Sequence, residues 1–184
     1  MPSDLVERLR RGDEHAYREA VALHDDNLYS FLLRLCGQRE LAEDLFQETW
    51  LALARHAMKL PSDTRFAPWL YAVARNAYRS HRRWAWVDVS RWLVVDHDDT
   101  LASPEASPEQ VAVAEQTADD LDIALRRLRP CDREILLLHA VDRLDASEVA
   151  AILGLDPGAQ RQRLSRARKA LREQLHRIRQ GDRP

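Results

Sequence analysis

Residues 145–172, DASEVAAILGLDPGAQRQRLSRARKALR, contain the signals of two helices separated by a tight turn. Asp145 and, three residues later, Glu148 have the spacing of a capping box, which starts a short helix. This helix is expected to run through Leu153. Gly154 stands at the C-terminal position where helices commonly end in a residue with positive φ. The stretch therefore predicts a short, well-delimited helix followed by a sharp change of direction.

The second helix of this stretch has its own start signals and an arginine-rich surface. Asp156 can act as its N-cap, with Pro157 at the first helical position. A short helix, a tight turn and a longer helix form a helix-turn-helix pattern, whose second helix reads the major groove of DNA. The residues predicted to contact DNA are Arg161, Gln162, Ser165 and Arg166 at base edges, and Arg163, Arg168, Lys169 and Arg172 at flanking phosphates. An ordinary solvated basic face is the competing interpretation, and the agreement of caps, turn and spacing favours DNA.

Apolar residues recur with a helical period through the rest of the chain. Residues 28–35 and 41–58 each place their apolar side chains on a single stripe. After a break at residues 60–64, another helix is predicted from about Phe66 to Trp84. Asp132 is expected to cap a further helix. No useful run of alternating apolar and polar residues occurs, so the fold class is predicted to be all-α.

Charge is strongly segregated along the chain. Lys and Arg number 28 and Asp and Glu number 30, for a net charge of -2, which at first disfavours a nucleic-acid-binding protein. However, residues 65–92 carry six Arg against one Asp, and residues 157–180 carry seven Arg and one Lys against one Glu. Residues 96–122 carry nine acidic residues and no Lys or Arg. The small net charge is therefore a cancellation between two basic blocks and one acidic block.

The acidic block also indicates how the chain is divided. Residues 103–109 contain two Ser-Pro steps and no large apolar residue, which is typical of a linker. We therefore predict two small helical domains, residues 1–92 and 109–180, joined by a flexible acidic linker at residues 93–108.

The sequence gives little indication of a membrane protein, a secreted protein, a zinc protein or an enzyme. No stretch of 18 apolar residues occurs, and the charged N-terminus lacks the apolar region of a signal peptide, so a cytoplasmic protein without membrane insertion is expected. The two cysteines are far apart and give no zinc signature. No nucleophile–base constellation or Gly-rich phosphate loop is present, so no catalytic residue, metal, cofactor or small-molecule substrate is predicted. The pairs His24-Asp25 and His97-Asp98 leave a weak alternative, a metal-dependent phosphohydrolase.

Five segments resemble extracytoplasmic-function (ECF) sigma factors of the sigma-70 family. Residues 128–137, 154–158 and 163–172 are similar to region 4 of that family. Residues 42–50 (AEDLFQETW) and 66–76 (FAPWLYAVARN) resemble two parts of region 2, its core-binding helix and its reader of the −10 promoter element. The resemblance covers nearly the whole chain, and the region 2 and region 4 motifs occur in the same order as in the family.

The resemblance implies a set of functional residues. Asp44, Gln47 and Glu48 would dock on the clamp helices of the polymerase β′ subunit. Residues 61–69 correspond to a loop that captures a flipped base, and Asn76 to the reader of the upstream part of the −10 element. The residues implied at the −10 element are Asp63, Arg65, Phe66, Trp69, Arg75, Asn76, Arg79, Arg82 and Arg83.

The resemblance also implies partners. These are bacterial core RNA polymerase, through its β and β′ subunits, promoter DNA and an anti-sigma factor; with polymerase the chain would associate with the nucleoid. Departures from the family are Ser80, Ala159 and Gln160, and an apolar run that includes Trp84, Trp86 and Trp92, which either packs internally or binds a partner. The alternative is a helix-turn-helix regulator that does not join RNA polymerase.

Overall fold

The computed structural model describes residues 2–88, 108–141 and 144–181, and all regular structure in these ranges is helical. The all-α prediction is therefore confirmed. The helices are α1 (Pro2–Arg10), α2 (Glu14–Cys36), α3 (Arg39–His56), α4 (Phe66–Asp88), α5 (Pro108–Arg127), α6 (Pro130–His139), α7 (Ala146–Leu153) and α8 (Pro157–Arg179), with a 3₁₀ helix, Ala57–Lys59, between α3 and α4. The predicted linker lies outside the described residues except for Pro108, where α5 begins.

The N-terminal half, α1 to α4, is a bundle built around α2. Asp13 caps α2 by accepting a hydrogen bond from the backbone N–H of His15, and Gly37 ends it at φ 71°. The stripe of residues 28–35 is buried, and Phe31 meets Tyr71 of α4 edge to face with ring centroids 5.3 Å apart. Burying aromatic and leucine side chains on these faces supplies the main stabilisation of the bundle, roughly 1.5–3 kcal/mol for each large side chain.

The C-terminal half, α5 to α8, contains the predicted helix-turn-helix. Both sides of the capping box at Asp145 and Glu148 form, and Gly154 adopts φ 66°. Asp156 caps α8 by accepting from the backbone N–H groups of Gly158 and Ala159, at 2.9 Å each. These start and stop signals were correctly predicted, because capping depends on residues within one turn of each other.

Asp132 does not cap a helix, so that prediction was wrong. Helix α6 begins two residues earlier at Pro130, with Arg129 at the N-cap position. Proline is favoured at the first helical position because its missing N–H would be unpaired there anyway. Asp132 lies in the first turn, 3 % exposed, and its carboxylate binds the Arg129 guanidinium at 2.8 Å.

The two halves share one apolar core. Leu35 and Leu70 of the N-terminal half belong to the same buried cluster as Ile135 and Val149 of the C-terminal half. Polar contacts reinforce it: Arg34 Nε lies 3.1 Å from Asp122 Oδ1, and Arg133 Nη1 donates to the carbonyl of Leu35 at 3.1 Å. The described parts of the chain therefore adopt a closed arrangement, with α2 and α4 packed against α5, α6 and α7.

Replacement of Gly154 tests the turn of the helix-turn-helix. Gly154→Ala should lower the free energy of unfolding by about 1 kcal/mol, because an alanine at positive φ is strained. A Cβ atom at this position would meet nothing within 4 Å, so the cost is conformational rather than steric. Urea unfolding followed by circular dichroism measures it. Gly154→Asn is the matched control and should cost less, since asparagine tolerates this region. Equal stabilities of the two variants would contradict the prediction.

Candidate nucleic-acid and polymerase interfaces

Helix α8 presents its predicted DNA-contacting residues to solvent. Four of them, Arg161, Gln162, Ser165 and Arg166, are exposed along one side, as expected from the sequence. On the opposite side Ala167 is fully buried, and Leu164 and Leu171 pack against the core. The remaining predicted contacts are Arg163, which is half-buried, and Arg168, Lys169 and Arg172, which are exposed. The amphipathic division of the helix thus leaves a basic surface available to a polyanion.

A buried polar contact that the sequence did not reveal anchors α8. Gln160 is 3 % exposed, and its side-chain amide lies 2.6 Å from Nε2 of His139 at the end of α6. This hydrogen bond fixes the first turn of α8, next to the exposed face that begins at Arg161. Gln160 appeared in the sequence only as a departure from the family pattern. Its partner is 21 residues away, and nothing local identifies it.

A second candidate surface lies on α3. Asp44, Gln47 and Glu48 are exposed, as predicted, while Leu45 and Thr49 between them are buried. Leu51 lies one turn further along the same face and is 52 % exposed, which is unusual for a leucine. Leu51 was not predicted from the sequence, although it follows Asp44, Gln47 and Glu48 with i, i+3, i+4, i+7 spacing.

The residues predicted to read the −10 element lie in and just before α4, in varied environments. Asp63, Arg65, Asn76 and Arg79 are exposed, and Arg82 is half-buried with its guanidinium 5.8 Å from the ring centre of Tyr78. Phe66 is 5 % exposed and packs between His24 and Trp69, with ring centroids 5.3 and 6.2 Å away. It is therefore a core residue in this arrangement. The side chains of Arg83, Trp84 and Trp86, and all of Trp92, lie outside the described part of the chain.

Arg75 is not exposed, although the family resemblance implied that it contacts the −10 element. Its Nε donates to Glu134 at 2.7 Å, its Nη2 reaches the second oxygen of Glu134 at 3.4 Å, and its Nη1 donates to the carbonyl of Ile152 at 2.7 Å. Arg75 and Glu134 are each 7 % exposed. Packing of the two halves places this arginine against the C-terminal half. The periodicity of the sequence does not predict that packing.

A cleft of about 520 Å³ lies between the halves beside this ion pair. Five arginines line it, with Glu134 as the carboxylate among them; they are Arg75, Arg79, Arg82, Arg129 and Arg163. The cleft is therefore electropositive.

The described residues give no support to a metal-dependent enzyme. No group of His, Cys, Asp or Glu among them could hold a metal ion. His24 is 4 % exposed and packs on Phe66 as part of the core, and His97 lies outside the described residues.

Among the described helices none is long and apolar enough to cross a membrane.

Comparison with known proteins defines the class of protein. Residues 20–87 match the family model of Sigma-70 region 2, and residues 118–171 match that of Sigma-70, region 4. The RNA polymerase sigma factor CarQ of Myxococcus xanthus is 34% identical over 181 residues, covering 92% of this chain and 95% of that protein. The ECF RNA polymerase sigma factor SigF of Caulobacter vibrioides is 34% identical over 168 residues, covering 90% of this chain and 89% of that protein.

Solved structures agree with these matches. The sigma factor RpoE of Bartonella quintana, determined in complex with the anti-sigma factor NepR, has a TM-score of 0.71 and 25% identity, covering 91% of this chain and 98% of that one. CnrH, determined with the cytosolic domain of CnrY, has a TM-score of 0.71 and 22% identity, covering 95% and 97%, and shows the fold. The chain belongs to the sigma-70 family and is an ECF sigma factor. The comparisons thus favour a sigma factor over a helix-turn-helix regulator that works without polymerase.

The His139–Gln160 contact should make the anchoring of α8 sensitive to acid. Burial, with a smaller contribution from Arg168, lowers the pKa of His139, so the folded protein favours the neutral ring. The contribution of neutral His139 to stability is complete above the pKa of histidine in the unfolded chain, about 6.5. It is lost as the pH falls below that pKa, because the unfolded chain then binds the proton more readily than the folded protein does. Urea unfolding from pH 7.5 to 5.5 should therefore show a smaller loss of stability in His139→Gln than in the unmodified protein. Parallel stability curves for the two proteins would contradict this role.

Proposed function

We propose that this chain is a dissociable specificity subunit that binds bacterial core RNA polymerase and directs transcription from promoters with particular −35 and −10 elements. The exposed face of α8 carries the proposal most directly. Arginine and glutamine stand there on the second helix of a capped helix-turn-helix, and these residue types pair with guanine and adenine edges. Arg161, Gln162, Ser165 and Arg166 would read the −35 element, and Arg163, Arg168 and Lys169 would hold its phosphates.

The N-terminal half would bind core polymerase and recognise the −10 element. Asp44, Gln47 and Glu48 would bind the β′ subunit, and their exposure on one face of α3 supports this assignment. The −10 element would be read by Asn76, by the segment that contains Asp63 and Trp69, and by the basic residues of α4. In the closed arrangement Arg75 is buried against Glu134 and Ile152, so it could contact DNA only after the two halves move apart. Phe66 packs on His24 and Trp69 within the N-terminal half, so it would need a rearrangement of that half to reach DNA.

The remaining assignments follow from the family. We propose promoter DNA and the β and β′ subunits of polymerase as partners, a cytoplasmic location with nucleoid association when polymerase is bound, and no enzymatic activity, cofactor or small-molecule substrate. An anti-sigma factor is a further proposed partner, supported by the similar sigma factor RpoE, which was solved in complex with the anti-sigma factor NepR. The domain boundaries 1–92, 93–108 and 109–180 stay a prediction.

Removal of charge from the α3 surface tests polymerase binding. The double variant Asp44→Asn, Glu48→Gln should bind core polymerase about tenfold more weakly, because each hydrogen bond to a charged group contributes roughly 1.5–3 kcal/mol before the neutral replacement recovers part of it. Binding can be measured by fluorescence anisotropy of labelled protein. The matched control is Glu14→Gln, Glu19→Gln, which removes two exposed carboxylates from α2 and should bind normally. Equal affinities of the two double variants would contradict the proposed surface.

Promoter-specific transcription tests the DNA assignments. Run-off transcription with core polymerase should first map a promoter, and unchanged core activity would overturn the proposed function. On that promoter, Arg166→Ala should cost about 1–3 kcal/mol in promoter binding and relax the preference at one −35 position. Asn76→Ala should instead relax a position in the −10 element. Arg177→Ala, an exposed arginine near the C-terminal end of α8, is the control and should leave base preference unchanged.

A further inference from the structure

We infer that the arginine-lined cleft between the halves binds a small oligophosphate anion, either inorganic triphosphate or the triphosphate of a nucleotide. This ligand is distinct from the DNA and the polymerase of the proposed function, and it is bound rather than transformed. The cleft has a volume of about 520 Å³, which is within the range of small-molecule binding sites.

The basic lining of the cleft comes from both halves. Helix α4 contributes Arg79 and Arg82, and α8 contributes Arg163. Tyr78 of α4 and Leu153 of α7 add apolar surface to the same lining. Arg79 is exposed, so solvent and dissolved ions reach the cleft. A small anion that enters it would therefore meet guanidinium groups from two helices together with an apolar surface.

The ion pairs of the cleft leave an excess of positive charge. Arg75 binds Glu134 at 2.7 Å, and Arg129 binds Asp132 at 2.8 Å, so carboxylates already neutralise these two guanidinium groups. Burial raises the pKa of Tyr78, so its hydroxyl stays protonated and adds no negative charge. The remaining arginines of the lining form no ion pair with any residue that the structure describes; they are Arg79, Arg82 and Arg163. A ligand with several negative charges would stabilise this group, whereas a neutral ligand would not.

The geometry of phosphate suits these arginines. Each guanidinium can donate two parallel hydrogen bonds to a phosphate, and such charge-assisted bonds are roughly twice as strong as neutral ones. Arg79 and Arg82 are three residues apart on α4, so their side chains are neighbours on one face. A tetrahedral phosphate presents its oxygens in several directions, whereas the oxygens of a carboxylate lie in one plane. A chain of phosphates can therefore contact the arginines of α4 and Arg163 of α8 together.

Isothermal titration calorimetry of the full-length protein with inorganic triphosphate tests the site. We expect saturable binding of one anion per chain. Arg79→Gln and Arg163→Gln should each weaken this binding about tenfold, because each removes charge-assisted hydrogen bonds to the ligand. Since the two arginines lie on different helices, a loss in both variants identifies a ligand that spans the cleft. The matched control is Arg177→Gln, which removes an exposed arginine of α8 outside the lining and should leave the affinity unchanged.

Titration with ATP distinguishes the two sources of the same phosphate chemistry. Tighter binding of ATP than of inorganic triphosphate supports a nucleotide, whose base and ribose would contact the apolar lining at Tyr78 and Leu153. Equal or weaker binding of ATP supports inorganic oligophosphate. Citrate, a tricarboxylate, should bind more weakly than triphosphate because its carboxylates are planar.

Other outcomes overturn the inference. These are the absence of saturable triphosphate binding, an equal loss of affinity in Arg177→Gln and Arg79→Gln, which shows general attraction to a basic surface, and citrate binding as tight as that of triphosphate. If circular dichroism shows that Arg163→Gln is unfolded, exposed Arg79 decides. Arg79→Lys, which keeps the charge but not the planar fork, should then bind with an affinity between those of Arg79→Gln and the unmodified protein. Equal affinities of Arg79→Gln and the unmodified protein overturn the inference. The titrations contain neither polymerase nor promoter, so their failure leaves the proposed function to be decided by run-off transcription.

Discussion

The buried guanidinium of Arg75 joins three helices that no local signal brings together. It extends from α4, binds the carboxylate of Glu134 on α6 and donates to the carbonyl of Ile152 in the last turn of α7. The carbonyls of a last turn have no partner within their own helix, and this arginine supplies a donor for one of them, that of Ile152. Arg133 of the C-terminal half in turn donates to the carbonyl of Leu35, at the end of α2 in the N-terminal half. Each half thus satisfies a helix terminus of the other.

This arrangement changes the meaning of the net charge. A total of -2 hides two basic blocks, and one of them is partly neutralised across the interface by Glu134, Asp145 and Glu148. The basic face of α8 stays exposed, whereas part of the basic surface of α4 is covered. The protein therefore presents its candidate −35 surface more openly than its candidate −10 surface.

Sequence reasoning succeeded where the physical cause is local. The caps Asp145 and Asp156, the turn at Gly154 and the exposed faces of α3 and α8 were all predictable, because each depends on residues within two turns of one another. It failed at Asp132, where proline outweighed the aspartate as a helix start. It missed Leu51, whose spacing was visible but whose exposure depends on what packs against α3. It also missed the Gln160–His139 contact, which joins positions 21 residues apart.

The sequence alone determined the helical fold class, the caps and turn of the helix-turn-helix, the segregation of charge and the resemblance to the family, because periodicity, capping and motif order are properties of short stretches. Only the tertiary structure decided that Arg75 is buried, that Phe66 is a core residue and that Arg65 faces the start of α7. The reason is that an exposed arginine and a buried, paired one look identical in a helical pattern. An arginine becomes buried and paired only when folding brings a carboxylate within about 3 Å of it. For Arg75 that carboxylate belongs to Glu134, which is 59 residues away along the chain.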